Sequence, residues 1–221
     1  MTVRQVLLAV SLAASAAAPV GAHKAESLRL SPADRDGAVL IDSARLPDSY
    51  HVYIARIEPD GSLAGFWQVY VAGSVRITPN GVVPSTEKKL SAVRMRPGRY
   101  VFTRVLQNLH WQACMWAGTL TFEVRPGVAS YIGEVDPRPV LDGMVAHATA
   151  EGLTRSPYSG GVHQFRERFP PLRAIGPTAE RVSELDRDRA RLFRALSAPV
   201  VAQTAAPLEF ASYQASGRLC R

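Results

Sequence analysis

The sequence predicts an all-β protein, an antiparallel β-sandwich of about seven to eight strands with one C-terminal α-helix. Three observations carry that prediction. Around position 120 the side chains alternate: Leu120, Phe122 and Val124 point one way and Thr119, Thr121 and Glu123 the other, the period of a strand buried on one face. Arg96-Pro97-Gly98 and Arg125-Pro126-Gly127 each set a Pro-Gly corner before an extended run. In such a corner proline presets φ and glycine accepts the positive φ that a type II turn needs. Helical spacing is convincing in one stretch only. There Val182, Leu185, Leu192, Phe193 and Leu196 share a stripe, and Glu184, Asp186, Arg187, Asp188, Arg191 and Arg194 cover the rest.

Residues 1–22 read as a signal peptide. Arg4 supplies the positive start, Val6 to Ala18 an apolar and small-residue run, and Val20-Gly21-Ala22 the small residues of a cleavage site before His23. The run is shorter than the ~20 residues that span a bilayer, and no cysteine near the cleavage point accepts a lipid. The mature chain is therefore expected to be soluble and periplasmic or secreted.

Residues 23–148 form the expected sandwich domain. Ser27 to Leu30 makes an edge strand stopped by Ser31-Pro32, and Ala38 to Ile41 opens the sheet proper. Tyr50 to Glu58 alternates, with His51, Tyr53, Ala55 and Ile57 on one face and Val52, Ile54 and Arg56 on the other. Glu58-Pro59-Asp60-Gly61-Ser62 then turns the chain into a hairpin. The partner runs from Phe66 to about Thr78, with Gly73 marking a bulge, and Pro79-Asn80-Gly81 turns again. Ser85 to Leu90 lacks an apolar period and reads as a surface loop. Tyr100 to Leu106 is the first central strand, rich in aromatic and β-branched residues, and Asn108 to Trp116 links it to the second. Val140 to Ala148 reads as a further strand. Residues 149–176 are a Pro/Gly-rich linker broken by Phe169-Pro170-Pro171. Residues 177–197 are the amphipathic helix, with Pro177 in its first turn and Ser197-Ala198-Pro199 at its end. Residues 198–221 form a tail in which Leu208 to Tyr213 can add a strand.

The formal net charge is +7 at pH 7, and loss of Arg4 with the leader lowers it by one. A basic envelope protein attracts lipid headgroups, acidic glycans or nucleic acid. The arginines here, such as Arg56, Arg76 and Arg104, are scattered at strand positions without a basic run, which reads as a solvated surface and against nucleic acid. Arg56, Arg99 and Arg104 interleave with aromatic residues that can stack on sugars, although strand alternation already assigns most of the aromatics to the core. Cys114 and Cys220 are the only two cysteines, and in an oxidising compartment they form the expected disulfide. Closing a loop of about a hundred residues is worth roughly 4 to 5 kcal/mol in the chain-entropy account.

His23, His51, His110, His147 and His163 fall in no ligand spacing. Cleavage after Ala22 would expose His23 as the N-terminal residue, and an α-amino group beside an imidazole chelates Cu(II), given a second histidine. Copper at His23 is the alternative to a protein without a cofactor. His110 and Cys114 share a face only in a helix, and Trp111 and Trp116 make a packed link the simpler reading. Ser130 and Ser159 lack a nucleophile elbow.

The pattern Pro97-Gly98-Arg99-Tyr100, then Cys114, then Phe122-Glu123-Val124-Arg125-Pro126-Gly127, then Tyr131-Ile132-Gly133-Glu134, resembles a group of secreted or lipid-anchored bacterial β-sandwich proteins of unknown function. These are similar to prealbumin-like or carboxypeptidase-regulatory-like domains. The resemblance spans about forty residues of turn and strand chemistry and implies a fold and a compartment, with no catalytic residue to carry over. The resulting expectation is a non-catalytic, envelope-associated binding or accessory protein. Its expected partner is an envelope protein, a glycan or a lipid headgroup.

Overall fold

Alternating apolar residues in this chain make strands, and several of those strands are buried on both faces. A computed structural model describes residues 23–24, 27–44, 50–70, 74–78, 81–85, 90–107, 111–116, 118–153, 162–208 and 219. In chain order the first strands are β1 (His23–Lys24), β2 (Arg29–Leu30), β3 (Gly37–Ser43), β4 (Tyr50–Ile57), β5 (Leu63–Tyr70), β6 (Ser74–Thr78) and β7 (Gly81–Ser85). They are followed by β8 (Leu90–Met95), β9 (Gly98–Gln107), β10 (Trp111–Cys114), β11 (Leu120–Val124) and β12 (Ala129–Asp136). Then come α1 (Arg138–Ala150), β13 (His163–Phe165), β14 (Arg173–Ile175), α2 (Ala179–Arg187), α3 (Arg189–Leu192), β15 (Ala195–Leu196), β16 (Val200–Ala202) and β17 (Ala206–Pro207).

Two sheets dominate. The six-stranded sheet runs β1-β8-β3-β12-β14, with β16 also on β12. The seven-stranded sheet is built on β9: β4, with β5 beyond it, takes one edge, while β10 and β11 share the other, followed by β13 and β17. Antiparallel pairing was expected throughout, but β12 runs parallel to β3 and to β16, β10 parallel to β13, and β2 parallel to β15. The reason is topological. The chain leaves β3, builds most of the other sheet, and returns to β12 by a long crossover, which is how parallel neighbours arise.

The main core takes Val39, Ile41, Val52, Ile54, Phe102, Phe122 and Ile132 from both sheets. Alternate residues of β3 and β12, namely Ala38, Leu40, Ala129 and Tyr131, face a second cluster with Leu28, Leu30, Leu185, Phe193 and Leu196. All eight residues of β12 are buried as a result, the environment usual for parallel strands. At Gly133 the register of β12 against β3 shifts, with φ at 87°. A Cβ there would lie 2.2 Å from the Ile175 carbonyl oxygen, so glycine is what lets β14 approach.

Several expectations are corrected. Residues 140–148 are helical, not extended: α1 buries Val140, Leu141, Met144 and Ala148, with proline in its first turn. The expected 177–197 helix is shorter and broken. Thr178 caps α2 by accepting from the Arg181 amide at 3.2 Å, α3 follows, and Phe193 turns extended at φ −132°, ψ 132°. The 149–176 linker contains β13 and β14, the 108–116 link contains β10, and the tail contributes β16 and β17. Thr119 and Thr121 are buried beside Leu120 and Phe122, so β11 is covered on both faces. Thr121 Oγ1 donates to the Ala206 carbonyl of β17 at 3.0 Å. The Glu58–Ser62 hairpin forms as expected, with Gly61 at φ 80° and the Glu58 amide donating to Ser62 O at 2.9 Å. Residues 1–22, Gly73, 79–80, 86–89 and 209–213 lie outside the described residues.

Candidate functional site

The two Arg-Pro-Gly corners meet at one end of the molecule. Antiparallel pairing of β9 with β11 sets Gly98 opposite Val124, which places the corners side by side. The Gly127 amide donates to Asp36 O at 2.8 Å, bringing in the turn before β3. On the far edge of β9, Arg99 lies opposite Ile57, so the Glu58–Ser62 hairpin closes the group. Between that hairpin and the first corner is an open cleft of about 520 Å³ walled by Arg56, Ile57, Glu58, Pro97, Gly98 and Arg99.

Most of the acid here is already satisfied. Arg56 donates from Nε and Nη2 to Glu58 Oε1, at 2.9 and 2.5 Å. Arg94 holds Asp36 at 3.0 Å and Asp34 at 3.2 Å. The Ser31 amide, donating at 2.6 Å, joins Arg94 in holding the Asp34 carboxyl below its usual range. Asp60 accepts from the Ser62 amide and hydroxyl at 2.9 and 2.7 Å, which lowers its carboxyl too. Tyr100 donates its hydroxyl to Arg96 O at 2.7 Å and pins the corner, and burial pushes that phenol up to about 12. Arg96 and Arg99 are exposed and make no ion pair among the described residues, although Glu123 is the cross-strand neighbour of Arg99. Arg99 thus offers the cleft a planar guanidinium, the group that grips a carboxylate or phosphate with two parallel hydrogen bonds.

Two further charge clusters tie the fold together. Asp42, buried on β3, accepts from Arg181 Nε and Nη2 at 3.0 and 3.1 Å and from the Tyr131 hydroxyl at 2.8 Å. Asp136 accepts from Arg138 and Arg173. A third group is imidazole and aromatic. His147 Nε2 lies 3.7 Å from Glu167 Oε2, and His147 and His163 both stand edge-on to Phe165.

His23 lies in β1, its backbone paired with Ala92 of β8. His51 is half-buried on β4, His147 is on α1, His163 is on β13, and His110 lies outside the described residues. Among the described residues no group of three or more His, Cys, Asp or Glu is placed to hold a metal. Cys114 is buried at the end of β10, and Cys220 lies outside the described residues. Ser130 is fully buried in β12, and Ser159 lies outside. Arg104 stacks over Tyr53, with its guanidinium carbon 5.3 Å from the ring centre, and donates to Gln112 at 3.3 Å. Of the arginines interleaved with aromatics, Arg56 and Arg99 share the cleft and Arg104 does not. Tyr50, Tyr100, Phe102, Trp111, Phe122 and Tyr131 are core residues.

The chain matches no protein-family model, no curated protein and no solved structure. No helix of the described residues is long and apolar enough to cross a membrane.

Proposed function

We propose that this is a non-catalytic binding or accessory protein of the cell envelope, exported to the periplasm or secreted, that captures an anionic group in the cleft beside Arg99. The observation that carries the reading is the state of the charges around the cleft. Asp34, Asp36 and Glu58 each have an arginine, while Arg99 has no ion-pair partner among the described residues. An acidic glycan or an anionic lipid headgroup supplies the missing acid, and both belong to the envelope. The leader-like residues 1–22 and the resemblance to secreted β-sandwich proteins support the compartment, and a core shared by the two main sheets supports a sandwich-like packing.

The test is calorimetric titration of the mature chain with oligogalacturonate and, separately, with phosphatidylglycerol vesicles. Binding to one of them, falling about tenfold or more in Arg99→Ala and less in Arg99→Lys, is the expected result. Affinity unchanged by Arg99→Ala would remove the cleft from the reading. Copper at His23 remains the rival reading, from a different class. It predicts a mature chain beginning at His23 and a Cu(II) affinity lost in His23→Ala.

A further inference from the structure

The second Arg-Pro-Gly corner brings a further arginine to the face that carries Arg99. Glu123 of β11 lies directly across from Arg99 of β9, so their side chains leave the sheet on the same face. Alternation turns Val124 into the core, where it is 1% exposed, and returns Arg125 to the face of Glu123 and Arg99. β11 ends at Val124, but a residue that precedes proline is pushed out of the helical region into extended backbone. Arg125, standing before Pro126, therefore continues the alternation. The backbone is fixed there as well. A Cβ on Gly37 would strike the Arg125 carbonyl oxygen, and the Gly127 amide donates to Asp36 O at 2.8 Å. Arg125 is exposed and, like Arg99, has no ion-pair partner among the described residues.

Arg99 and Arg125 are thus diagonal neighbours on one face, about 7–8 Å apart at the backbone, a span that two arginine side chains close at their tips. One guanidinium fork grips one edge of an anion with two parallel hydrogen bonds. A carboxylate is planar and offers a single fork that edge. A phosphate monoester has three terminal oxygens and near pH 7 carries about 1.5 to 2 negative charges, so it takes two forks together. A phosphodiester keeps two free oxygens and a single charge. We propose that Arg99 and Arg125 form a two-armed clamp for a terminal phosphate monoester. The clamp rests on the anion-capturing cleft proposed above and narrows its ligand to the one acidic group that engages both arms. Its source is a lipid headgroup or a soluble phosphate. Glu123 is exposed between the arms and opposes any anion that enters as a like charge.

The test titrates the mature chain with phosphatidylcholine vesicles carrying equal fractions of phosphatidic acid or phosphatidylglycerol, and separately with glycerol 3-phosphate. Phosphatidic acid is expected to bind about tenfold or more tighter than phosphatidylglycerol. Arg125→Ala should erase that preference, and Arg125→Lys, which keeps the charge and loses the fork, should retain part of it. Glu123→Gln should tighten binding about two- to fivefold. Arg187→Ala removes the same charge from α2 and should leave the preference in place. Tighter binding to the vesicles than to glycerol 3-phosphate assigns the clamp to lipid, and equal binding assigns it to a soluble monoester. An affinity that falls in Arg99→Ala while the preference survives Arg125→Ala would overturn the clamp and leave the cleft standing. A preference lost equally in Arg187→Ala would reduce it to general charge attraction and overturn it too. Affinities indifferent to Arg99→Ala would remove the cleft and the clamp together.

Discussion

Asp136 shows how single residues are fixed here. Its side chain is fully buried at the end of β12 and takes Arg138 Nε at 2.8 Å, Arg138 Nη2 at 2.7 Å and Arg173 Nη2 at 2.5 Å. Burial pushes the carboxyl up, but the hydrogen bonds from Arg138 and Arg173 outweigh it and hold the group below 3.8. Asp136→Asn keeps the shape and removes the charge. Because both arginines are partly exposed and can rehydrate, the expected cost is about 1–3 kcal/mol in urea unfolding. Gly127 is fixed by backbone geometry. It sits at φ 62°, and a Cβ would stand 2.3 Å from Pro32 O, so Gly127→Ala combines strain with a clash against backbone. The expected loss is about 1–3 kcal/mol, read in the same way. The sequence made the second of these visible and not the first. Pro126-Gly127 is a local signal, whereas Asp136 looks like the start of a loop until Arg173 arrives from 37 residues away.

At the level of elements, α2 is held by Leu185, with Val182 packed beside it, and by one ion pair to the sheet. Leu185 is its only buried residue, and Arg181 reaches the buried carboxylate of Asp42 with two hydrogen bonds. Leu185→Ala is expected to cost about 2–5 kcal/mol. Arg181→Ala leaves Asp42 charged and buried with Tyr131 beside it, and about 3–5 kcal/mol is expected. A double-mutant cycle with Asp42→Asn should return a coupling well above the error of two independent sites, and additive losses would show that the helix is held by packing alone. Strand periodicity made β4, β9, β11 and the hairpin legible because each is long enough to show a period. The strands of two or three residues, β13 to β17, are too short for one and exist because a neighbour supplies their hydrogen bonds. The α1 stripe, Val140, Leu141, Met144 and Ala148, has helical spacing, but it is short and stands where the chain turns rich in proline and glycine, so it does not announce a helix. Tertiary burial settled it as helix.

The cleft belongs to the whole molecule. Arg56 and Arg99 come from different strands and meet only because β4 and β9 pair, so the sequence displayed the arginines without their juxtaposition. Buried titratable groups are likewise a property of the assembled fold, and they set a pH window for its stability. Burial holds the His51 imidazole below 6.5, and Asp136 is held below 3.8. Both groups stabilise the fold at pH above their unfolded values and lose that contribution as pH falls through the folded ones, so acid should weaken the protein first from about pH 6.5 and again below about pH 4. Tyr50, Tyr100 and Tyr131 act in the opposite direction. Burial raises all three phenols above 10.0, Tyr100 to about 12, so the folded chain keeps protons that the unfolded chain releases. Their contribution is complete below about pH 10 and drains away above it. Unfolding free energy measured in urea across the pH range should therefore form a plateau between about pH 6.5 and 10 with a fall on each side. On the alkaline side, tyrosinate absorbance should lag the ionisation of exposed tyrosine and rise together with the loss of near-ultraviolet dichroism, because these three rings ionise when the sheets separate. Ionisation of every tyrosine near pH 10 with the dichroism intact would mean that water already reaches the three hydroxyls in the folded state, and the tightly closed core described above would not stand.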